Sequence, residues 1–378
     1  MVSIGFVYFC SVIKNNYELQ NDGTMKNILS KRTFIVLPLF LFSLHPLWGQ
    51  KSNFKNDICI PGKLYMLSDI RNDVFVEALI KRWRPYNDFV RFSGDCVYSR
   101  KLNRVASVDT PVDGSNMKIE LVNSDEFEII KEKAISICVG KKGIGTQEVT
   151  VQILGDSFVN GAFFRDALLS KNYIPGIKLV GLRNIKNEEG QYDEGRGGWT
   201  VKKYFEIPKG EMTSYHGYMQ PVGEYRYWGS CEFWKNCYKV INGELTDTEI
   251  VYNCGRYDQC ITKFDKETGY LAAPKKNDLM YDNARGSYMV YTEKKWKNVE
   301  VDERKWAFNY RKYLDMWNLD APKFFAQMLG LNDYRDSLTA DYREWNKKIA
   351  EMKESYYKAV PDGKFIILIP CTTCGSLN

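Results

Sequence analysis

An α/β chain is expected from this sequence, with a parallel sheet covered by helices in its second part and a small β-sandwich in its first. A change of pattern predicts it. Up to residue 147 the apolar residues come in short runs of period two, as half-buried strands require. From 148 onward, strand-like runs alternate with segments of period 3.6. Composition bounds the answer as well. The chain has 378 residues, 44% hydrophobic and 14% aromatic, enough to fill more than one core, which excludes a disordered or collagen-like chain.

Taken in order, residues 1–49 read as an address rather than a fold. The stretch 25–32 is short and basic, and 34–47 is an almost uncharged apolar run closed by Trp48-Gly49-Gln50. That is the layout of a secretory signal starting at Met25, with 1–24 lying upstream of the expected start, so a secreted or periplasmic location is expected. Fourteen apolar residues interrupted by Pro38 and Pro46 are too few to span a bilayer, so no stable membrane anchor is expected.

The unit 51–147 is expected to hold strands at 63–67, 88–93, 116–122 and 134–139, separated by turn clusters such as Asp113-Gly114-Ser115-Asn116. The glycine-rich stretch 140–146 has no periodicity and marks the boundary. In 148–378 the expected elements begin with a strand at 148–154 and a helix at 160–171 carrying Phe163, Phe164, Ala167 and Leu168 on one face. Strands at 177–182 and 324–329 follow. A helix at 342–360 with Trp345, Ile349, Met352 and Tyr356 on one side precedes a last strand at 365–369. An insertion of about 205–320 is far longer than an ordinary connection, so a structured excursion is expected there. Its Trp228, Trp234, Trp296, Trp306 and Trp317 are expected to be chiefly core.

Charge and rare residues narrow the chemistry. Lys and Arg number 53 against 47 Asp and Glu, a net charge of +6 scattered without a basic run, so no nucleic-acid partner is expected. Only His45 and His216 carry an imidazole, and only His216 survives removal of 1–49. No metal site and no cofactor are expected. The ten cysteines include Cys231/Cys237 and Cys254/Cys260, each pair enclosing five residues, a spacing that suits local disulfide loops better than a zinc knuckle. Cys371 and Cys374 read as a structural loop or disulfide.

Ligands of open parallel sheets bind beyond the carboxyl ends of the strands. Three segments leave such ends with small or polar residues: Gly155-Asp156-Ser157-Phe158, Gly330-Leu331-Asn332-Asp333 and Pro370-Cys371-Thr372-Thr373-Cys374. Ser157 is the candidate nucleophile. Its own N–H, the N–H of a glycine in 195–198 and the side-chain amide of Asn332 are candidate oxyanion donors. The segment lacks the second glycine of a G-x-S-x-G elbow, and the glycine cluster lacks the Lys-Ser/Thr of a P-loop.

The runs ILGDSFVNG at 153–161, EGRGGWT at 194–200 and GLND at 330–333 resemble, in order, the first three blocks of the SGNH (GDSL-type) hydrolases. The resemblance covers about 148–378. It implies a three-layer α/β/α, flavodoxin-like fold and a serine carboxylic ester hydrolase, with Ser157 as nucleophile and Ser157, Gly198 and Asn332 as oxyanion hole. The β-rich leader and the EGRGGWT variant are similar to secreted members that deacylate polysaccharide, so the implied substrate is an acylated carbohydrate or another small ester. The family's Asp-x-x-His block is absent, since Phe42 and Thr213 stand three residues before the two histidines. The chain is therefore expected to stop short of its base, and loss of such a histidine costs on the order of a millionfold in turnover. A non-catalytic carbohydrate-binding protein on the same fold, and a lipid or thioester hydrolase, are the alternatives.

Overall fold

A computed structural model describes residues 57–368 except 59, 61, 69–70, 76–78, 82–87, 95–96, 101–104, 124–125, 141–147, 162, 171–175, 185–191 and 335–341. The expected signal segment and the Cys371/Cys374 pair lie outside the described residues. The fold is mixed α/β and rich in strands.

The first unit is built as its period-two pattern requires. Lys63–Leu67, Ile129–Gly140, Asn116–Asn123 and Asp88–Gly94 form a four-stranded sheet in that spatial order. Asn72–Phe75, Val105–Val108 and Val97–Arg100 form a second sheet. Inward residues of both, among them Leu64, Val74, Val108, Ile119, Leu121 and Ile137, share one apolar core in a sandwich-like arrangement.

From 149 a parallel sheet begins. We label β1 (Val149–Gly155), β2 (Ile177–Leu179), β3 (Glu194–Gly195), β4 (Phe324–Met328) and β5 (Lys364–Ile367). The spatial order is β2-β1-β4-β5, and β3 extends the same edge of β1 beyond β2 through Leu154 opposite Glu194 and Gly155 opposite Gly195. Alternation sends the strand residues to two faces. Val151, Ile153, Ala326 and Met328 pack with Val159 of α1 (Ser157–Asn160) and with Leu168 and Leu169 of α2 (Phe163–Ser170). The helix expected at 160–171 is observed as Phe163–Ser170, preceded by the short α1, and the side chains of Phe163, Phe164 and Ala167 lie outside the described ones. Leu154, Phe325 and Phe365 face the other way, towards Ile349, Met352 and Tyr356 of the long amphipathic helix that follows β4.

The stretch between β3 and β4 is structured throughout and shares that second core. It contributes α3 (Cys231–Ile241), α4 (Thr248–Cys254) and α5 (Tyr310–Trp317). It also holds a four-stranded sheet of Arg226–Ser230, Asp278–Asp282, Ser287–Tyr291 and Trp296–Val299. Trp228, Trp234, Trp306 and Trp317 are buried in its core, with Trp296 packed at the margin. After β4 come α6 (Leu331–Tyr334) and α7 (Tyr342–Ala359).

The cysteine expectation is corrected. Cys231, Cys237, Cys254 and Cys260 are all free thiols. Cys231 and Cys237 lie on one helix, six residues apart, a rise of about 9 Å at 1.5 Å per residue, beyond the ~7 Å over which a disulfide can reach.

Candidate functional site

Two of the three expected segments, together with the glycine loop, meet at the carboxyl end of β1 and β4. β1 closes on Gly155, where any side chain would strike Val159 Cγ2 at 2.5 Å and the Met328 carbonyl at 2.8 Å, so only glycine lets α1 and β4 approach. Asp156 then caps α1, accepting the Phe158 N–H at 3.1 Å, and Ser157 emerges as the exposed first helical residue.

The glycine loop is fixed from below. The Arg196 N–H donates to the Gly155 carbonyl at 2.9 Å, and the Tyr204 hydroxyl lies 2.7 Å from both the Gly155 and Glu194 carbonyls. Arg196 and Glu194, both buried, form an ion pair at 2.8 Å; Arg196 also donates to the Tyr215 carbonyl at 2.6 Å. Above this anchor Gly198 turns with φ +73°, exposed, in a left-handed conformation suited to glycine.

Asn332 joins the three loops. Its side-chain amide donates to the Trp199 carbonyl at 3.1 Å and faces Asp156 Oδ2 at 3.4 Å. The next residue, Asp333, accepts the Val201 N–H at 3.0 and 3.2 Å. Ser157, Gly198 and Asn332 are therefore brought to one edge, but both amide protons of Asn332 point to groups within the protein. Its Oδ1 and the Gly198 N–H have no hydrogen-bond partner among the described residues.

Burial pushes the Asp156 carboxyl up to about 6, and the neighbouring Asp333 charge adds to the shift. Asp333 is raised as well, again chiefly by burial. Beside the loop, the half-buried Trp199 ring meets Tyr204 edge-on at 4.9 Å and His216 at 5.7 Å, with the Arg196 guanidinium 5.1 Å from its centre.

His216 is buried and both its ring nitrogens are occupied. Its Nδ1 accepts the Tyr218 N–H at 3.2 Å, which assigns the proton to Nε2, 2.9 Å from the Glu206 carbonyl. Burial, with the Arg196 charge, pushes its pKa down to about 3. It stacks in the aromatic core and is not a base for Ser157. Among the described residues no group of histidine, cysteine and carboxylate side chains could hold a metal ion.

Sequence reasoning missed Asp156, Asp333, Tyr204 and the Glu194–Arg196 pair as site residues. The signal was inside the quoted runs: EGRGGWT carries two opposite charges beside glycines, and both GDS and GLND carry an aspartate at a strand end.

No family model matches the chain, and no curated protein matches it. Two solved structures from Bacteroides fragilis show a faint likeness. One, provisionally described as an alpha-galactosidase, is 12% identical over 33% of this chain and 28% of that one, with a TM-score of 0.18. The other, provisionally described as an alpha-galactosidase/melibiase, is 8% identical over 83% of this chain and 52% of its own, with a TM-score of 0.20. Such scores carry no argument about fold or chemistry.

The SGNH expectation is nevertheless corrected. No family model, that of the SGNH hydrolases included, matches the chain, and no curated member of that family does. The site explains why three short motifs were not enough. Its one described imidazole is neutral and hydrogen-bonded on both nitrogens, while the Asn332 amide holds loops together. A serine carboxylic ester hydrolase is not supported, and with it falls the reading of a polysaccharide deacylase.

Proposed function

We propose that the carboxyl edge of the parallel sheet binds an uncharged, hydroxyl-rich ligand of the carbohydrate class. The observation that carries this is the meeting of three loops around exposed Ser157, with the Asn332 Oδ1 and the Gly198 N–H without a partner among the described residues and the half-buried Trp199 ring beside them. A hydroxyl donor and acceptor, an amide acceptor and a backbone donor suit ligand hydroxyls, and an aromatic ring suits the apolar face of a sugar. In this reading the parallel sheet is the middle of a three-layer α/β/α stack, supported by α1 and α2 packing on one face and α5 and α7 on the other.

Calorimetric titration with a panel of neutral mono- and oligosaccharides tests the proposal. At least one member is expected to bind. Ser157→Ala should weaken that binding about three- to tenfold, the worth of one neutral hydrogen bond, and the bulk of Ser157→Trp should abolish it. Absence of binding across the panel at millimolar concentration, or wild-type binding by Ser157→Trp, would overturn it.

A further inference from the structure

A cavity of about 400 Å³ opens in the second unit between the strands Arg226–Ser230 and Asp278–Asp282, the short helical turn Ile261–Lys263 and the last turn of α5. Its volume is that of a small-molecule site, and none of its lining residues belongs to the carboxyl edge. Trp228, Leu271 and Met316 form an apolar wall, and the exposed Lys263 lines it as well. The Lys263 ammonium lies 5.7 Å from the centre of the Trp228 ring and 5.6 Å from that of Trp317, two indoles packed edge to face at 5.2 Å. Ring faces attract a cation, so this long side chain is held where an exposed lysine is ordinarily free. Charge is left over here. Arg226 pairs with Asp278 at 2.8 Å, and Asp278 also accepts the Trp228 Nε1–H at 2.9 Å and the Lys275 N–H at 2.6 Å. Asp315 pairs with Arg311 at 3.2 Å. Lys263 and the exposed Lys275 have no ion-pair partner among the described residues. Lys263 also borders a second cavity of about 310 Å³, where the other cation, Lys178, is neutralised by Asp320 at 2.6 Å.

We propose that the larger cavity binds a small organic carboxylate with an apolar body, its carboxylate on Lys263 and Lys275 and its body against Trp228, Leu271 and Met316. Two ammonium groups left without counter-charge select an anion. Asp315 also lines the cavity and opposes an anion, but its charge is met by Arg311. A lysine already held over two rings forfeits less side-chain freedom when a ligand arrives, so its contact favours binding more than that of a free surface lysine. Phosphate fits less well. It calls for a guanidinium fork or a nest of backbone N–H groups, and the one arginine of the cavity is committed to Asp278 and to the Lys276 carbonyl at 2.9 Å. This site is independent of the saccharide reading of the carboxyl edge.

The full chain would be titrated calorimetrically with hexanoate, benzoate and phenylacetate, with the matching primary amides, and with inorganic phosphate and phenyl phosphate. At least one carboxylate is expected to bind where its amide does not. Lys263→Gln should weaken that binding about ten- to a hundredfold, as loss of one charge-assisted hydrogen bond does, and Lys263→Arg should keep most of it. Lys178→Gln, beside the second cavity, should leave it unchanged. An unaltered circular dichroism spectrum of Lys263→Gln, a change at an exposed position, shows that the fold is kept. Absence of binding by every carboxylate at tens of millimolar, equal binding by an amide or by Lys263→Gln, loss of binding in Lys178→Gln, or tighter binding of either phosphate would overturn the proposal.

Discussion

At the scale of single residues, the carboxyl edge keeps Asp156 where an ionised carboxylate is disfavoured. Its pKa stands at about 6 against an ordinary 3.8, chiefly because burial penalises the charge. A group raised in the fold holds its proton longer than the unfolded chain does. Its contribution is therefore fully present below pH 3.8 and is lost as pH rises through 6. About two pH units correspond to roughly 2–3 kcal/mol. Asn at this position keeps an oxygen for the Phe158 N–H and cannot ionise. Asp156→Asn is expected to be no less stable than wild type at pH 7. The wild-type fall in unfolding free energy between pH 4 and 6 should shrink in the variant by about that amount, measured by urea titration at each pH. Asp193, raised to about 6 by burial, supplies a second fall of the same sign that remains. An unchanged slope in Asp156→Asn would show that the carboxyl titrates normally. This residue was in plain view within GDS, yet its shift was illegible, since it depends on burial under α1 and on Asp333, 177 positions away.

At the scale of elements, what could be read in advance was whatever a local period dictates. Expected helix 342–360 is observed as Tyr342–Ala359, because Ile349, Met352 and Tyr356 fall on one buried face. Strand 63–67 is observed at those residues for the same local reason. The helix Tyr310–Trp317 was not foreseen, since its Tyr and Trp residues read only as part of an aromatic insertion. Its role rests on partners far off in sequence. From α5, the Tyr310 hydroxyl donates to Gln152 Oε1 at 2.7 Å, joined there by Tyr218 at 3.1 Å. Gln152 Nε2 donates to the Tyr313 hydroxyl at 3.1 Å, and Tyr313 in turn donates to Glu194 at 2.6 Å. A polar residue in the middle of β1 thus ties the sheet to α5 and, through Glu194, to the glycine loop. Gln152→Leu keeps the volume and strands the buried hydroxyls. The expected loss is about 2–5 kcal/mol, since each unsatisfied buried group costs roughly 1–3. Replacing Tyr218 and Tyr310 by Phe in the Gln152→Leu background should recover part of that loss, because the orphaned groups are gone. Urea unfolding of the three proteins decides it: a triple variant less stable than Gln152→Leu alone would refute the hub.

At the scale of the whole molecule, the apolar cores divide where the sequence pattern changes. One cluster draws only on residues between Ile58 and Val139, and the other two only on residues from Val149 onward. A core is the unit that unfolds cooperatively, so a chain with separately filled cores is expected to melt in more than one step. Ile119 offers a clean probe, because it is fully buried in the first cluster and distant in sequence from the carboxyl edge. Ile119→Ala removes buried methyl groups and leaves a cavity, a cost of about 2–5 kcal/mol. In differential scanning calorimetry of the full chain, one transition should drop by on the order of 10 °C, given the few degrees per kcal/mol of a unit this small. A second transition should stay within a degree or so of wild type. Saccharide binding at Ser157 should survive between the two melting points, where the first unit is open and the parallel sheet intact. A single transition that moves as a whole, or binding lost with the first melt, would show that the two units fold as one and that the carboxyl edge depends on both.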